Sequence, residues 1–388
     1  MPKLFEHPFL GRGFRPFFLL AALYSVISLL LWGGFYAGHV VPPLVLSDPV
    51  SWHAHEMIYG FTMAVVAGFL LTAVANWTSG APARQIHLGG LCLIWLAGRL
   101  VMNFELGLPL WLAYSIEAAF IPVLAFSLAL PLLRSWNKRN FVFLGLLSIL
   151  FACDLWFFIS ESRQPLYIAL LMILIMISLI GGRIIPAFTV AALRRRGEEA
   201  YQNAQPKLDI LALVSLVALG LIWAFAGFDN PVFSGFAFLS AIVHGLRLCR
   251  YHTKRILNDP MVWILHAGYG WLVIGLLMLG FAGLGMATLS IALHALTAGS
   301  IGSMTLGMMC RVTLGHTGRN LRAGPVTVLS FILMQITGIT RVFGPLLMPE
   351  QTNNWIIGSA ALWAACFTLY VPVYAPMLWT LRPDGREV

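Results

Sequence analysis

Residues 52–61 read WHAHEMIYGF and place two histidines and a glutamate at the start of a long apolar segment. An imidazole in apolar surroundings ligates haem iron, copper or zinc, shuttles protons, or pairs with a carboxylate. On a helix, side chains three or four residues apart share a face, whereas side chains two apart do not. A helical motif therefore directs His53 to the side of Glu56, and His55 to the side of Tyr59.

The conformation at residue 53 decides what the two histidines can bind together. If the chain is helical there, one histidine ligates a cofactor and the other serves a second metal ion or a hydrogen bond. If the chain is still extended there, both His53 and His55 can bind one ion. The sequence leaves both arrangements open.

Composition indicates that membrane helices position this motif. The chain has 388 residues, of which 59% are hydrophobic and only 10% are charged, whereas about a quarter of the residues in a soluble domain are charged. Twelve apolar runs reach the roughly 20 residues needed to cross a bilayer. We therefore predict an all-α polytopic membrane protein with about twelve transmembrane helices, forming a single bundle domain over residues 1–388. The runs lie near 17–38, 54–77, 86–104, 108–133, 140–160, 166–187, 208–227, 231–250, 260–281, 286–308, 325–346 and 355–380.

The distribution of Lys and Arg predicts the orientation of these helices. With the N-terminus in the cytoplasm, all but four of the 24 Lys and Arg residues fall in inner segments, from Lys3 to Arg386. The exceptions are Arg163, in an outer loop, and three residues within or at the end of helices, Arg99, Arg183 and Arg341. Because cytoplasmic loops carry an excess of Lys and Arg, we predict that both termini are cytoplasmic. The even spread of these residues argues against a nucleic-acid partner.

With this orientation, most polar residues of the apolar runs fall in one outer layer. Charged groups inside a bilayer are costly and usually mark a site, so a preference for one side predicts a site there. The outer layer contains His53, His55, His294, Glu56, Glu105, Glu117, Asp154, Arg99 and Arg341. A smaller inner layer contains His244, His266 and Arg183.

These residue types predict three roles. The histidines of the outer layer are candidate metal or haem ligands, and His244 and His266 of the inner layer are further candidates. Guanidinium groups bind carboxylates bidentately, so Arg99 and Arg341 are candidate partners of the two haem propionates. The carboxylates are candidate groups of a proton path from the outer face, or salt-bridge partners of the arginines; they are Glu56, Glu117 and Asp154.

Several long stretches together resemble the NnrS family of membrane proteins, over essentially the whole chain. They are LGRGFRPFF (10–18), WHAHEMIYGF (52–61), GFLLTAVANWTSG (68–80), GGRIIPAFT (181–189), LHAGYGW (265–271) and LHALTAGSIGSMTLGMMCRVTLGHTGR (293–319). One departure is Ala75, where the family pattern has proline before Asn-Trp. This change affects only the local shape of the helix.

The resemblance implies a multi-pass protein of a bacterial-type inner membrane that binds copper and a non-covalent, b-type haem. It also implies a link to denitrification and to resistance against nitric oxide and nitrosative stress. Metal ligation carries over to the histidines that lie in matching motifs, which are His53, His55, His266 and His294. Nitric oxide is the expected small-molecule ligand, because it is small and apolar and can reach a buried site through the lipid bilayer. If the protein is an enzyme, it is an oxidoreductase acting on nitric oxide, with the electron donor left open.

Two other functions remain open from the sequence. Twelve helices with intramembrane carboxylates also suit a proton-coupled transporter, although the two halves share no visible sequence repeat. Alternatively, the protein is an accessory factor that handles haem or metal for another membrane complex, through lateral helix contacts.

Overall fold

The computed structural model describes residues 7–41, 43, 45–46, 48–160 and 162–385. Lys3 and Arg386, used above for the orientation, lie outside the described residues. Over the part described, the chain forms helices and no strand, and twelve helices are long and apolar enough to cross a membrane. The predicted all-α polytopic membrane fold is therefore confirmed. We number the helices α1 Phe14–Tyr36, α2 Pro49–Thr78, α3 Gln85–Asn103, α4 Leu110–Arg134, α5 Lys138–Ser160, α6 Gln164–Arg195, α7 Pro206–Ala226, α8 Pro231–Cys249, α9 Pro260–Gly283, α10 Leu289–His316, α11 Pro325–Leu347 and α12 Pro349–Trp379.

Short capping sequences fix where three of these helices begin. Asp48, Asn230 and Asp259 each accept a hydrogen bond from a backbone N–H of the first turn of α2, α8 or α9. Each is followed by a proline, which suits the first helical position because the helix needs no N–H there. Since α2 begins at Pro49, the chain is helical at His53. This result decides between the two arrangements of the histidines left open above.

The chain forms two compact units. Unit 1 comprises Met1–Met172, Arg311–Asn320 and Phe367–Val388, and unit 2 comprises Ile173–Cys310 and Leu321–Cys366. Unit 1 thus contains α1–α5, whereas unit 2 contains α7–α9 and α11. The single bundle domain over residues 1–388, and the cytoplasmic location of both termini, stay predictions.

In unit 1, α1 packs along α2. Helix α1 begins at Phe14, whose backbone N–H donates to the Thr72 hydroxyl at 3.1 Å. This hydrogen bond connects the start of α1 to the C-terminal half of α2. Helix α2 itself is not regular. Residues Glu56–Thr62 form a π-helical segment, in which the turn is one residue wider than in an α-helix.

In unit 2, small residues let α9 and α10 approach closely. Gly299 faces the Trp271 ring, and a Cβ added at 299 would overlap that ring. Gly307, eight residues along, faces Ile264 in the same way. Such spacing of small residues is the usual device for close packing of membrane helices. Helix α10 also contains a π-helical segment, Ala295–Ile301.

Candidate functional site

Four consecutive helices of unit 1 direct five polar side chains to one buried cluster. Helix α2 contributes His55 and Glu56, α3 contributes Arg99, α4 contributes Glu117, and α5 contributes Asp154. His55, Glu56 and Asp154 are fully buried, and the other two are at most 6% exposed. The structure thus brings together five of the residues predicted for the outer layer, although they are up to 99 positions apart. We call these five residues the carboxylate cluster.

His55 lies at the centre of the carboxylate cluster. Its Nδ1 is 2.9 Å from Glu56 Oε1, and its Nε2 is 3.2 Å from Asp154 Oδ1 and 3.7 Å from Glu117 Oε2. One imidazole nitrogen therefore faces a single carboxylate, and the other faces two. Tyr59 lies beside the His55 ring, with 5.0 Å between ring centroids, as the spacing of four residues predicted.

Arg99 is the one guanidinium that pairs with these carboxylates among the described residues. Its NH2 donates to Glu117 Oε1 at 2.7 Å, and its Nε lies 3.5 Å from Glu56 Oε2. Three carboxyl groups therefore share one guanidinium and one imidazole in a buried site. Buried charge of this kind is costly unless protons or a cation balance it.

Two residues that the sequence did not single out complete the surroundings of Glu56. The Tyr24 hydroxyl of α1 donates a hydrogen bond to Glu56 Oε2. Asn103, one turn after Arg99, donates from Nδ2 to Glu56 Oε2 at 3.1 Å and to the Tyr24 hydroxyl at 3.0 Å. A tyrosine in the middle of an apolar run, and an amide at a helix end, were the available signals. Both residue types are common in membrane helices without a site.

The π-helical segment of α2 begins directly after His55, and its Gly60 lies against Arg99, Tyr24 and Trp95. Its wider turn is held by the Trp95 indole, whose N–H donates to the Gly60 carbonyl at 3.0 Å. A Cβ at position 60 would overlap both the Arg99 guanidinium and the Tyr24 ring. The glycine of WHAHEMIYGF therefore gives Arg99 room to reach Glu56 and Glu117.

A break in α4 sets the position of Glu117. The helix is interrupted at Ala119, between Leu110–Ala118 and Phe120–Arg134. Pro122 explains the break, because proline has no N–H to donate to the carbonyl four residues earlier. Glu117 thus lies at the end of the first part of the helix, against Gly98 of α3.

The donor atoms of His55, Glu117 and Asp154 have the spacing of a metal site. One donor atom from each lies within 4.8 Å of the others. Bonds of about 2.0–2.2 Å separate two ligands on opposite sides of an ion by about 4.4 Å, so little adjustment is needed. Glu117 Oε2 and Asp154 Oδ2 are buried and receive no hydrogen bond. Two orphaned carboxylate oxygens beside an imidazole nitrogen fit a divalent cation.

The imidazole has the second partner expected of a metal-ligating histidine. Such a histidine generally donates its other ring N–H to a carboxylate, which fixes the tautomer and the ring orientation. Here His55 Nδ1 faces Glu56 while Nε2 faces Asp154 Oδ1 and the orphaned Glu117 Oε2. Glu56 is in turn held by Tyr24 and Asn103. The donor set of one nitrogen and two oxygens suits copper(II), iron(II), manganese(II) or zinc(II), whereas copper(I) prefers sulfur.

A cavity of about 470 Å³ lies next to the carboxylate cluster. Its mouth is formed by exposed residues of the loop after α3, which include Phe104 and Glu105. At its other end lie Phe157 and Phe158, whose ring centroids are 5.5 and 5.3 Å from that of His55. Two phenylalanine rings therefore separate the cavity from the central histidine.

We expect the cavity to admit small water-soluble reagents as far as these rings. Ala113→Cys, which lines the cavity, should react quickly with a methanethiosulfonate reagent in the purified protein. Ala118→Cys on the same helix should react slowly, because Ala118 is equally buried but does not line the cavity. Both variants would be made together with Cys249→Ser, which removes the exposed native thiol. Equal labelling at 113 and 118 would contradict an open cavity.

Other residues predicted for the outer layer have different surroundings. His53 stacks on Trp32 of α1, with ring centroids 4.2 Å apart and planes 8° apart. His294 and Arg341 belong to unit 2, where His294 Nδ1 lies 2.7 Å from the Ser290 carbonyl. Arg341 is buried.

Glu105 corrects the predicted outer layer. It is exposed at the mouth of the cavity rather than buried in a helix. The reason is that α3 ends at Asn103, where the next residue, Phe104, adopts an extended conformation.

The inner-layer histidines lie in a separate polar cluster of unit 2. His266 Nε2 and Nδ1 lie 2.8 and 3.0 Å from the hydroxyls of Thr189 and Thr253. His244 Nδ1 lies 2.8 Å from the Tyr269 hydroxyl. Both histidines are thus held by neutral hydroxyl groups, which is the arrangement of paired core histidines. Their predicted metal ligation stays a prediction.

Arg247 organises this unit 2 cluster. Its guanidinium donates to Asp209 Oδ1 at 2.7 Å, to the Ser178 carbonyl at 2.9 Å and to the Tyr269 hydroxyl at 2.9 Å. It lies directly on Gly182 of the GGRIIPAFT motif, where a Cβ would overlap it. The second glycine of this motif therefore makes room for a buried arginine.

The sequence of this chain matches the model of a protein family. The family model described as NnrS protein matches residues 8–382, which is nearly the whole chain. The chain belongs to the NnrS family. The resemblance seen in its motifs is thereby confirmed, and this NnrS-family protein is a multi-pass membrane protein. No curated protein matches it in sequence.

Proposed function

We propose that this NnrS-family protein holds a metal ion in the carboxylate cluster and uses it to bind or turn over nitric oxide. The observation that carries the proposal is that Nε2 of His55 faces the carboxylates of Glu117 and Asp154, each of which has one orphaned oxygen, Oε2 and Oδ2 respectively. Copper, which the family resemblance implies, would be bound as copper(II) by this oxygen-rich donor set. The function fits the predicted role in denitrification and nitrosative-stress resistance, in a bacterial-type inner membrane.

Each residue of the carboxylate cluster has a part in this proposal. His55, Glu117 and Asp154 hold the ion, and Glu56 keeps a proton on Nδ1 of His55 so that Nε2 stays free to ligate. Arg99 keeps Glu117 and Glu56 ionised by pairing with both. A redox-active ion bound there supplies an open coordination position and electron exchange for a small ligand.

The surroundings of the cluster suit a small apolar ligand. Phe157 and Phe158 cover His55 on the side of the cavity, so bulk water is kept from the ligating atoms. Nitric oxide can pass such apolar rings or enter from the lipid. Protons for a reductive reaction would reach the cluster along the hydrogen bond from Tyr24 to Glu56.

Haem fits His55 poorly in this arrangement. Both nitrogens of its ring face carboxylates, and aromatic side chains cover the ring on more than one side. A haem-ligating histidine needs one nitrogen directed at open space large enough for the macrocycle. The b-type haem that the resemblance implies is therefore proposed for a histidine outside the cluster. His53, His244 and His294 are the candidates, because both ring nitrogens of His266 already face hydroxyls. With Arg99 engaged by Glu117, Arg341 remains the candidate propionate partner.

Metal analysis and spectroscopy of the purified, full-length protein test the proposal. After expression with ample copper, iron and haem, we expect stoichiometric metal in the wild type and a spectral change on adding nitric oxide to the reduced protein. His55→Ala should lose the ion of the carboxylate cluster and the part of the nitric oxide signal that depends on it. His39→Ala is the matched control, because His39 is an exposed histidine of the same unit and lies outside the carboxylate cluster. A folded wild type that binds no metal ion would refute the proposal.

One observation favours proton-coupled transport as a second function. Tyr24, Glu56, His55 and Asp154 form an unbroken series of proton-exchanging groups across α1, α2 and α5. In that case the cluster would bind protons in place of a metal ion. Proteoliposomes separate the two functions, since transport requires a substrate flux that changes with the pH gradient and disappears in Glu117→Gln. Metal-dependent nitric oxide binding without such a substrate flux would exclude proton-coupled transport.

A further inference from the structure

A second group of charged side chains in unit 1 lies where α1 begins and where α10 and α12 end. It contains Arg12, Arg15, Arg319 and Arg382, with His316 beside them. We call the four arginines the arginine cluster. Over residues 7–385 as described, Asp384 is the one carboxylate that forms an ion pair with any of them.

Part of the arginine cluster stabilises helix ends. Arg15 NH1 donates to the carbonyls of Leu378 and Thr380 at 2.8 and 2.7 Å, where α12 ends. Arg382 NH1 donates to the His316 carbonyl at 3.0 Å, where α10 ends. Cations at the C-terminal ends of helices are favourable, because free carbonyls carry partial negative charge there. In Arg15 and in Arg382, one guanidinium nitrogen, NH1, thus donates to carbonyls at the end of a helix.

The rest of the Arg15 guanidinium lies over the Phe14 ring and has no hydrogen-bond partner. Arg15 is fully buried, and its Nε and NH2 form no hydrogen bond. The Nε of Arg12, one turn away, is also buried without a partner. Adjacent nitrogens on one edge of a guanidinium form the fork that binds phosphate or carboxylate bidentately. An unpaired, buried edge of this kind is costly unless an anion fills it.

The local charge also favours an anion. Helix α1 starts beside the cluster with no acidic residue in its first turn, so the positive end of its helix dipole adds to the potential of the arginines. Burial, and then repulsion from Arg382, lower the pKa of Arg12. Four guanidinium groups are therefore paired with a single carboxylate, Asp384, among the described residues.

We propose that the arginine cluster binds the phosphate group of an anionic ligand, with Arg15 Nε and NH2 as the bidentate donors and Arg12 Nε as a further donor. Two sources share this chemistry, the headgroup of an anionic phospholipid and free phosphate. The position at the ends of three membrane helices favours the headgroup, because basic pockets between such helices bind anionic lipids. This site is independent of the metal ion proposed above.

Lipid and phosphate titrations of the full-length protein in detergent test this site. Phosphatidylglycerol, phosphatidylcholine and inorganic phosphate would be added in turn, with chloride at equal ionic strength as the salt control. Binding would be measured by native mass spectrometry and by the thermal unfolding midpoint. Phosphatidylglycerol should raise the midpoint of the wild type more than phosphatidylcholine. In Arg15→Lys, which keeps the charge but loses the fork, its affinity should fall about tenfold, as the loss of one charge-assisted hydrogen bond predicts.

Two further variants keep the test decisive. Arg12→Gln should also weaken binding. It is the deciding variant if Arg15→Lys does not fold, because the Nε of Arg12 has no hydrogen-bond partner and so stabilises no helix end. Arg139→Gln removes the same charge from an exposed position at the start of α5 and should bind as the wild type does. Stabilisation by inorganic phosphate as well as by lipid would identify phosphate in general as the ligand. Equal binding by the wild type, Arg15→Lys and Arg12→Gln, or no effect of any anion, would overturn the proposal.

Discussion

Replacing Asp154 with asparagine should abolish metal binding while leaving the metal-free protein at least as stable as the wild type. Asparagine has the same size but no charge, so the metal site loses a ligand. The metal affinity should fall by more than about a hundredfold, since changes to outer-shell partners alone typically cost ten- to a hundredfold. In the metal-free protein, however, the change removes one of three carboxyl groups that share a single guanidinium.

Asp154→Asn should thus abolish metal binding without destabilising the metal-free protein, and a chelator distinguishes these two effects. A chelator should lower the thermal unfolding midpoint of the metal-loaded wild type, because a ligand that binds only the folded state stabilises it. The same chelator should leave Asp154→Asn unchanged. Glu105→Gln is the matched control, because Glu105 is an exposed carboxylate at the mouth of the cavity and should keep both the metal and the chelator effect. Retention of metal by Asp154→Asn would rule out the proposed ligand set.

Replacing Gly182 with alanine should destabilise the protein by about 2 kcal/mol, as forcing extra volume into a well-packed interior does. Alanine normally favours a helix over glycine by about 1 kcal/mol, and Gly182 lies within α6. Here, however, the added Cβ would overlap the Arg247 guanidinium, which hydrogen bonds to Asp209, Ser178 and Tyr269 hold in place. The measurement is the unfolding free energy of the detergent-solubilised protein.

Gly235→Ala provides the control for this prediction. Gly235 lies within α8 of the same unit, and a Cβ there would meet nothing within 4 Å, so alanine should be neutral or stabilising. Combining Gly182→Ala with Arg247→Lys identifies the cause, because the shorter head group no longer meets the Cβ. The two changes together should cost clearly less than the sum of the two alone. Additive effects would show that the overlap with Arg247 is not the reason.

The sequence predicted the helices and the carboxylate cluster for the same physical reason. A bilayer requires about 20 apolar residues per span, so the twelve runs stand out, and a charged residue within such a run must find a partner. His55, Glu56, Arg99, Glu117 and Asp154 were therefore expected in one outer layer together with four other residues, and the structure brings these five together. Which of them would pair was not predictable, because rotation of each helix about its axis depends on packing.

The residues missed by sequence reasoning have less specific signals. Tyr24 and Asn103 are polar but uncharged, so nothing in an apolar run requires them to have a charged partner. Glu105 was placed in a helix because α3 has no obvious stop signal at Asn103. Arg15 was counted only for the orientation, although its full burial could be known only from the ends of α10 and α12 meeting the start of α1.

The π-helical segment after His55 acts as a one-residue register shift within a membrane helix. In a regular α-helix each residue turns the chain by about 100°, so one additional residue in the turn rotates everything before it by that angle relative to everything after it. Deleting a residue between 56 and 62 would therefore swing His55 away from Asp154 while the apolar face of residues 63–78 kept its packing. The same wide turn follows His294 in α10. Insertion or loss of a single codon at either place is thus a route by which related chains can redirect a buried histidine without rebuilding the helix that carries it.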